Sequence, residues 1–410
     1  MLHAKRILLI VTGGIAAYKT PELVRQLIKA GASVRCVMSK SAQQFVTPLT
    51  LQSLSGDTVY TDLFSLTDEN AMGHIELSRQ ADVVLVAPAT ANTLAKMAHG
   101  MADDLASTVL LATDKPVLAA PAMNVRMWDH AATRDNVALL QTRGVTMVGP
   151  DEGEMACGEW GEGRMSDPAA IVQAVAEYLD AHAPLKGLRA TVTSGPTHEP
   201  IDPVRFIANR SSGKQGHAIA SALRDLGASV TLVTGPVELV DPVGVTTVHI
   251  ENARDMLTAV ENTLPADIFV AAAAVADWRV TDEAVQKIKK ADERALPELN
   301  LVENPDILQT LAQSGPARPA LVVGFAAETE NVVEHARQKL AKKGCDWIAA
   351  NDVSAAAGTF GADVNTVHLV TRTGVEDWPT QSKQDVARQL ADRIANHFGD
   401  DAAKTENMGA

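Results

Sequence analysis

Short apolar runs of strand length alternate with amphipathic stretches of helical length, and this alternation begins twice. It starts at residues 7–11, passes a turn at Gly13-Gly14, continues through a helical pattern over 16–29 that stops at Gly31, and resumes at 33–38. Runs at 82–87, 117–120 and 145–148 complete the first half. Runs that are apolar at nearly every position predict strands buried on both faces, as in a parallel sheet covered by helices on either side. The helical pattern that begins near Pro168 relaxes around Ala181, where Pro184 and Gly187 mark a break. The alternation then restarts: a strand over 190–193, a turn at Gly195-Pro196, a helix over 213–226 and a strand over 230–233. Further runs lie at 268–273, 320–324, 347–350 and 366–370. The expectation is an α/β protein of two doubly wound, Rossmann-like domains, residues 1–184 and 187–400, followed by a flexible tail at 401–410.

Charge and cysteine usage narrow what such domains act on. Lys and Arg total 36 against 50 Asp and Glu, a net charge of −14, which argues against nucleic acid as a partner. A small anionic ligand must then be met by local basic groups and helix N-termini. Cys36, Cys157 and Cys345 are too dispersed for a metal finger or a disulfide framework. The start, Met1 to Arg6, is basic but lacks the length and cleavage pattern of a signal peptide, and no run reaches transmembrane length. A cytoplasmic location without a membrane partner is expected.

Ligands of doubly wound folds sit at the carboxyl ends of strands. The first strand ends in Thr12-Gly13-Gly14-Ile15-Ala16-Ala17-Tyr18-Lys19, which suits either an anion at a helix N-terminus or an ordinary strand-to-helix turn. It is neither G-x-G-x-x-G nor a Walker A loop. Pro88-Ala89-Thr90-Ala91-Asn92 can let a flat ring lie against the backbone with Asn92 at its edge, or can simply cap a helix. His74 opens a short helical pattern. Asn124, in Pro121-Ala122-Met123-Asn124, can bind a carboxylate or amide, or cap the following helix. The stretch from Gly153 to Met165, with Cys157 near its centre, is glycine-dense and suits a mobile flap.

These motifs, in this order, resemble the flavin-dependent cysteine decarboxylases that act on 4'-phosphopantothenoylcysteine, over about residues 5–180. The resemblance implies a flavodoxin-like first domain with FMN held by Gly13, Gly14, Ile15, Ser39, Pro88, Ala89, Thr90, Ala91 and Asn92. It further implies His74 as catalytic base, Asn124 on the substrate's carboxylate or amide, and Cys157 as proton donor. An unshifted thiol titrates near about 8.5 and is mostly protonated at neutral pH, which suits an acid. One departure from the family pattern is Asp104, where Asn is usual near the flavin edge.

The second half carries Thr193-Ser194-Gly195-Pro196-Thr197, Arg205, and Asn209-Arg210-Ser211-Ser212-Gly213-Lys214, a set suited to a phosphate or carboxylate, or to a polar loop with an N-cap serine. A strand ending in small residues precedes Asp277, and Lys287-Ile288-Lys289-Lys290 is the basic cluster that the overall charge makes necessary. Together with Asn304-Pro305-Asp306-Ile307-Leu308, Phe325, Lys339 and Lys343, these resemble phosphopantothenate-cysteine ligases over about residues 188–398. By that resemblance Ala271, Ala272, Ala273, Asp277, Lys287, Pro305, Asp306, Ile307, Leu308, Phe325, Lys339 and Lys343 bind CTP, with Mg2+ on its phosphates near Asp277. Arg205, Asn209 and Lys287 would serve the ligation of 4'-phosphopantothenate to L-cysteine. Bacterial enzymes fuse the two activities; related decarboxylases form trimers and related ligases dimers, which implies a homo-oligomer, plausibly a dodecamer. A nicotinamide dehydrogenase is disfavoured by the missing dinucleotide fingerprint.

Overall fold

The strand β1, Arg6–Val11, places Ile7, Leu9 and Val11 in one buried cluster and Leu8 and Ile10 in another, each at most 1% exposed. Successive side chains of a strand point to opposite faces, so an unbroken apolar run means helices on both sides. On one face the cluster includes Leu23, Val24 and Leu27 of the helix Thr20–Lys29 and Ile171 and Val175 of the helix Pro168–Ala181. On the other it includes Leu94 of the helix Ala91–His99 and Val109 of the helix Leu105–Ala112. Each such side chain contributes about 1.5–3 kcal/mol relative to exposure, which commits β1 to the centre of the sheet. The computed structural model describes residues 2–62, 74–155, 158–289, 299–328, 330–352 and 363–408, with backbone alone for 74, 75, 352 and 400–408.

The remaining sheet strands of the first unit, Met1–Ala181, are β2 (Ser33–Met38), β3 (Val59–Tyr60), β4 (Val83–Ala89), β5 (Val117–Pro121) and β6 (Thr146–Met147). Their order is β3-β2-β1-β4-β5-β6, all parallel. The chain winds outward from β1 to β3, returns, and winds the other way from β4, so the topological switch point lies between β1 and β4. The helix anticipated over 16–29 is broken into a 3-10 turn, Ile15–Lys19, and the helix Thr20–Lys29. Pro21 is the reason: it lacks an N–H and its ring would clash with the carbonyl four residues back, so it is tolerated only in a first turn. An antiparallel hairpin, β7 (Asp151–Glu154) with β8 (Trp160–Arg164), precedes the last helix.

The second unit, His182–Ala410, contains β9 (Arg189–Ser194), β10 (Glu199–Asp202), β11 (Arg205–Ile207), β12 (Ser229–Thr234), β13 (Thr246–His249), β14 (Ile268–Ala271), β15 (Trp278–Val280) and β16 (Leu301–Glu303). After these come β17 (Leu321–Glu328), β18 (Trp347–Asp352), β19 (Val364–Asn365), β20 (Val367–Thr371), β21 (Val375–Asp377) and β22 (Gln381–Ser382). The main sheet runs β13-β12-β9-β14-β17-β18-β20-β21. Its first six strands are parallel and repeat the winding of the first unit about β9, while β20 and β21 add antiparallel. β10 with β11, β15 with β16, and β19 with β22 form small antiparallel ribbons.

Two boundaries differ from expectation. Leu185 is fully buried in the second unit's core, and its amide donates to the Leu226 carbonyl at 2.9 Å, so the stretch with linker composition is docked onto the second unit. The last helix, Lys383–Met408, continues past the point where a tail was expected to begin. Residues 401–408, Asp-Ala-Ala-Lys-Thr-Glu-Asn-Met, contain no helix breaker and several strong helix formers.

Candidate active sites

In the first unit the loops after β1, β2 and β4 converge. The Thr12 hydroxyl, 2% exposed, donates to the Pro88 carbonyl at 2.6 Å, tying the end of β1 to that of β4 across the switch point. Gly13 lies so near the loop after β2 that a Cβ there would sit 2.2 Å from the Ser41 Cβ. Gly14 begins the turn Ile15–Lys19 without a side-chain cap, and Ile15 is 60% exposed beside it. Backbone amides at such a turn have no intrahelical partner and are available to an anion. Ser39 donates its amide to the Val11 carbonyl at 3.0 Å, while its hydroxyl accepts from the Ala42 amide at 3.2 Å. Thr90 caps the helix Ala91–His99 and leaves Asn92 exposed on its first turn. All nine residues expected to hold a flavin therefore lie on three adjacent strand ends.

Asn124 follows β5, whose end is joined to β4 by the Ala122 amide donating to Ala89 at 3.0 Å. Both ends of its side chain are engaged within the protein. Oδ1 accepts the Arg126 amide at 2.7 Å and caps the helix Val125–Trp128, whereas Nδ2 donates to the carboxylate of Glu159. The glycine-dense stretch is the β7–β8 hairpin, and at Gly163 the glycine serves packing: φ is +143° and a Cβ would lie 2.4 Å from the Met123 carbonyl oxygen. The hairpin thus lies against the Asn124 segment, with the Met123 amide donating to Gly163 at 2.9 Å. Cys157 lies outside the described residues, as does the side chain of His74, whose backbone opens the helix His74–Arg79. Asp104 caps the helix Leu105–Ala112 through the Ser107 amide at 2.8 Å and pairs with Lys96 at 3.0 Å. Burial pushes its carboxyl up, but the Ser107 and Lys96 contacts outweigh this and hold it below the usual carboxylate range.

Lys19 was not singled out from sequence. Its ammonium, 11% exposed, donates to the Met165 carbonyl at 2.9 Å and to Asp167 at 2.8 Å, anchoring the first loop to the segment after the hairpin. Cys36 and Cys345 are buried, and burial pushes their thiols up to about 12 and about 11, as inert core residues.

In the second unit the ends of β9 and β14 are stitched together in the same way. The Ala274 amide donates to Gly195 at 2.8 Å, the Ala273 amide to the Thr193 hydroxyl at 3.3 Å, and the Asn209 side chain to the Val275 carbonyl at 2.8 Å. Asn304 donates its side-chain amide to Ala276 at 2.9 Å and its backbone amide to Asp277 at 2.9 Å, which brings the turn beginning at Pro305 beside the exposed Asp277. Asp306 caps the helix Ile307–Ala312 with one oxygen, at 3.0 Å from the Gln309 amide, and ion-pairs with Lys343 through the other. Lys339 donates to the Phe325 carbonyl at 2.8 Å. Burial lowers the Lys339 pKa below the ordinary lysine value; Glu328 opposes the shift and Lys343 adds to it. Ile307 and Leu308 are buried in the core, so their side chains are not available to a ligand.

Lys287 is exposed on a strap that follows β15. Arg205 holds that strap: its guanidinium donates to the Ile288 carbonyl at 2.7 Å and pairs with the buried Asp202 at 3.1 Å, which also accepts the Ile288 amide at 3.2 Å. Lys290 lies outside the described residues. Among the described residues no group of three or more His, Cys, Asp or Glu side chains is arranged to hold a metal ion, so Asp277 is not part of a preformed cage. No described helix is long and apolar enough to cross a membrane.

Two switch-point sites on successive Rossmann-like units, the first matching the family described as Flavoprotein over residues 1–180, define a two-unit flavoprotein enzyme. Residues 185–398 match the DNA/pantothenate metabolism flavoprotein C-terminal domain. The coenzyme A biosynthesis bifunctional protein CoaBC of Haemophilus influenzae is 46% identical over 398 residues, covering 97% of this chain and 98% of that one. Its counterpart in Escherichia coli (strain K12) is 47% identical over 399 residues, again covering 97% and 98%. A crystal structure of the C-terminal domain of such a protein is 39% identical and covers 53% of this chain and 99% of that one, with a TM-score of 0.45. The chain belongs to the family of bifunctional coenzyme A biosynthesis proteins and is an enzyme with decarboxylase and ligase activities.

Proposed function

We propose that the second unit joins L-cysteine to 4'-phosphopantothenate with CTP, and that the first unit, with FMN, decarboxylates the resulting 4'-phosphopantothenoylcysteine to 4'-phosphopantetheine. The observation that carries the first-unit reading is the Asn124 side chain, whose Nδ2 donates to a carboxylate while its Oδ1 is fixed by the backbone. Such an amide suits the substrate's carboxylate and holds it at a set angle before CO2 leaves. FMN supplies the two-electron oxidation of the substrate thiol, and the later return of those electrons, without which a plain cysteine carboxamide would have to lose CO2 to an unstabilised carbanion. The residues fit it: the uncapped turn at Gly14 suits its phosphate and the small Pro88–Asn92 loop its ring. His74 takes up a proton from the substrate, and Cys157 returns one to the ene-thiolate left after decarboxylation.

For the ligase, the small residues Ala271 to Ala273 form the floor for a nucleoside, and Lys339, Lys343 and Lys287 meet the triphosphate, with Mg2+ carried on its phosphates near Asp277. A carboxylate is inert to an amine until its oxygen becomes part of a leaving group. The carboxylate of 4'-phosphopantothenate attacks the α-phosphorus of CTP and pyrophosphate departs; the cysteine amine then attacks the acyl carbon and CMP departs. Arg205 and Asn209 suit the pantothenate substrate. The protein works in the cytoplasm as a homo-oligomer, a dodecamer if both units keep the symmetry of their relatives.

The test combines both halves. Purified protein with FMN, 4'-phosphopantothenate, L-cysteine and CTP is expected to release pyrophosphate and CO2 in equal amounts and to form 4'-phosphopantetheine. Pyrophosphate without CO2 would refute the first-unit assignment. A reaction indifferent to CTP would refute the second.

A further inference from the structure

The Glu159 carboxylate on Asn124 has no role in the reaction as described. Glu159 stands 35 positions after Asn124 and is 40% exposed. The Arg126 guanidinium, 87% exposed, lies 4.0 Å from its other oxygen, too solvated to be what fixes it. The Glu159 carbonyl accepts the Met155 amide at 2.9 Å. Immediately after it β8 begins, bonded to the Asn124 segment through Met123 and Gly163. The carboxylate is therefore tethered within reach of the one amide proposed to receive the substrate's carboxylate.

Two ionised carboxylates drawn to the same amide nitrogen repel each other, so binding of one weakens binding of the other. We propose that Glu159 is an internal stand-in for the substrate's carboxylate: it occupies the Asn124 amide between turnovers and is displaced by the incoming acid. This rests on the reading of Asn124 given above. A ligand bearing the carboxylate must displace the Glu159 side chain from Asn124; once CO2 has left, the amide is vacated and Glu159 returns. The site thereby distinguishes substrate from product by the group that is lost, and product no longer competes for the amide.

The test uses the full-length, flavin-loaded protein and two probes followed by flavin absorbance. One is 4'-phosphopantothenoylserine, which carries the carboxylate but no thiol to oxidise; the other is 4'-phosphopantetheine, which carries the thiol but no carboxylate. Glu159→Gln keeps the shape and removes the charge. It is expected to bind the serine compound about tenfold more tightly, the lower end of what a charge-assisted hydrogen bond contributes, and to bind 4'-phosphopantetheine unchanged. Glu159→Asp, one methylene too short for the amide, is expected to shift the same affinity in the same direction by a smaller factor, and serves if the glutamine variant loses its flavin. Unchanged or weakened binding of the serine compound, or equal tightening of both probes, overturns the proposal. Asn124→Ala separates the two readings. If it binds the serine compound as the unmodified protein does, the Asn124 assignment fails; if it weakens that binding while Glu159→Gln changes nothing, only the stand-in role fails.

Discussion

Replacing Gly13 with alanine puts a methyl group where the loops after β1 and β2 meet. The added carbon would lie 2.2 Å from the Ser41 Cβ and 2.8 Å from the Ser41 carbonyl carbon. Carbon atoms rest about 3.5–4.0 Å apart, so one loop must retreat by more than an ångström. Overpacking of this kind costs about 1–3 kcal/mol, and since part of the obstacle is backbone rather than a side chain that can rotate away, about 2 kcal/mol is expected. For a unit of this size that corresponds to a melting point lower by about 4–8 °C. Thermal unfolding followed by flavin fluorescence reports the first unit alone, because release of the flavin accompanies its loss of structure; the purified variant should also retain less flavin. Adding Ser41→Gly removes the nearest obstacle but not the carbonyl carbon, so the double variant should recover about 1 kcal/mol, visible as coupling in a double-mutant cycle. A Gly13→Ala protein with unaltered melting and flavin affinity would refute the assignment of this contact to the flavin loop.

Lys287→Gln should raise the CTP concentration needed for half-maximal ligation several-fold and leave decarboxylation of supplied 4'-phosphopantothenoylcysteine untouched; unchanged ligase kinetics would make the strap a solvated loop. Burial keeps the folded pKa of Lys339 below its unfolded value, so between the two values the unfolded chain binds the extra proton and this group's contribution to stability rises with pH. Phosphates beside Lys339 would raise its pKa again, and CTP binding at alkaline pH should therefore take up a proton; identical apparent binding enthalpies in two buffers of different ionisation enthalpy would place Lys339 away from the triphosphate. Cutting the gene between Ala181 and His182 should yield two separately active proteins. A cut after Gly187 removes Leu185 from the second core and should destabilise that piece by about 2 kcal/mol or more; equal stability of the two versions would show that the docked segment contributes nothing.

Local patterning alone was enough to find β1, β2, β9, β12 and β14, because a strand covered on both faces must be apolar throughout and therefore announces itself without knowledge of its neighbours. The close approach at the end of β1 was legible for a related reason: a strand end that meets another backbone demands a small residue, as at Gly13. Burial, however, is a scalar, and it says nothing about direction or partner. The strand β20 reads like its parallel neighbours, yet it runs antiparallel to β18, a direction no burial pattern encodes. Val59–Tyr60 is too short to carry a pattern and is a strand only because it pairs with β2. Leu185 sits in a stretch composed like a linker, and only the pocket beneath it in the second core decides which unit it joins. The sharpest case is Asn124, for which the sequence offered capping or carboxylate binding as alternatives. Tertiary structure shows the cap through one amide atom and adds a partner no local pattern announces, a glutamate 35 positions away facing the other, because a contact between residues so far apart is set by how the hairpin packs and leaves no local trace.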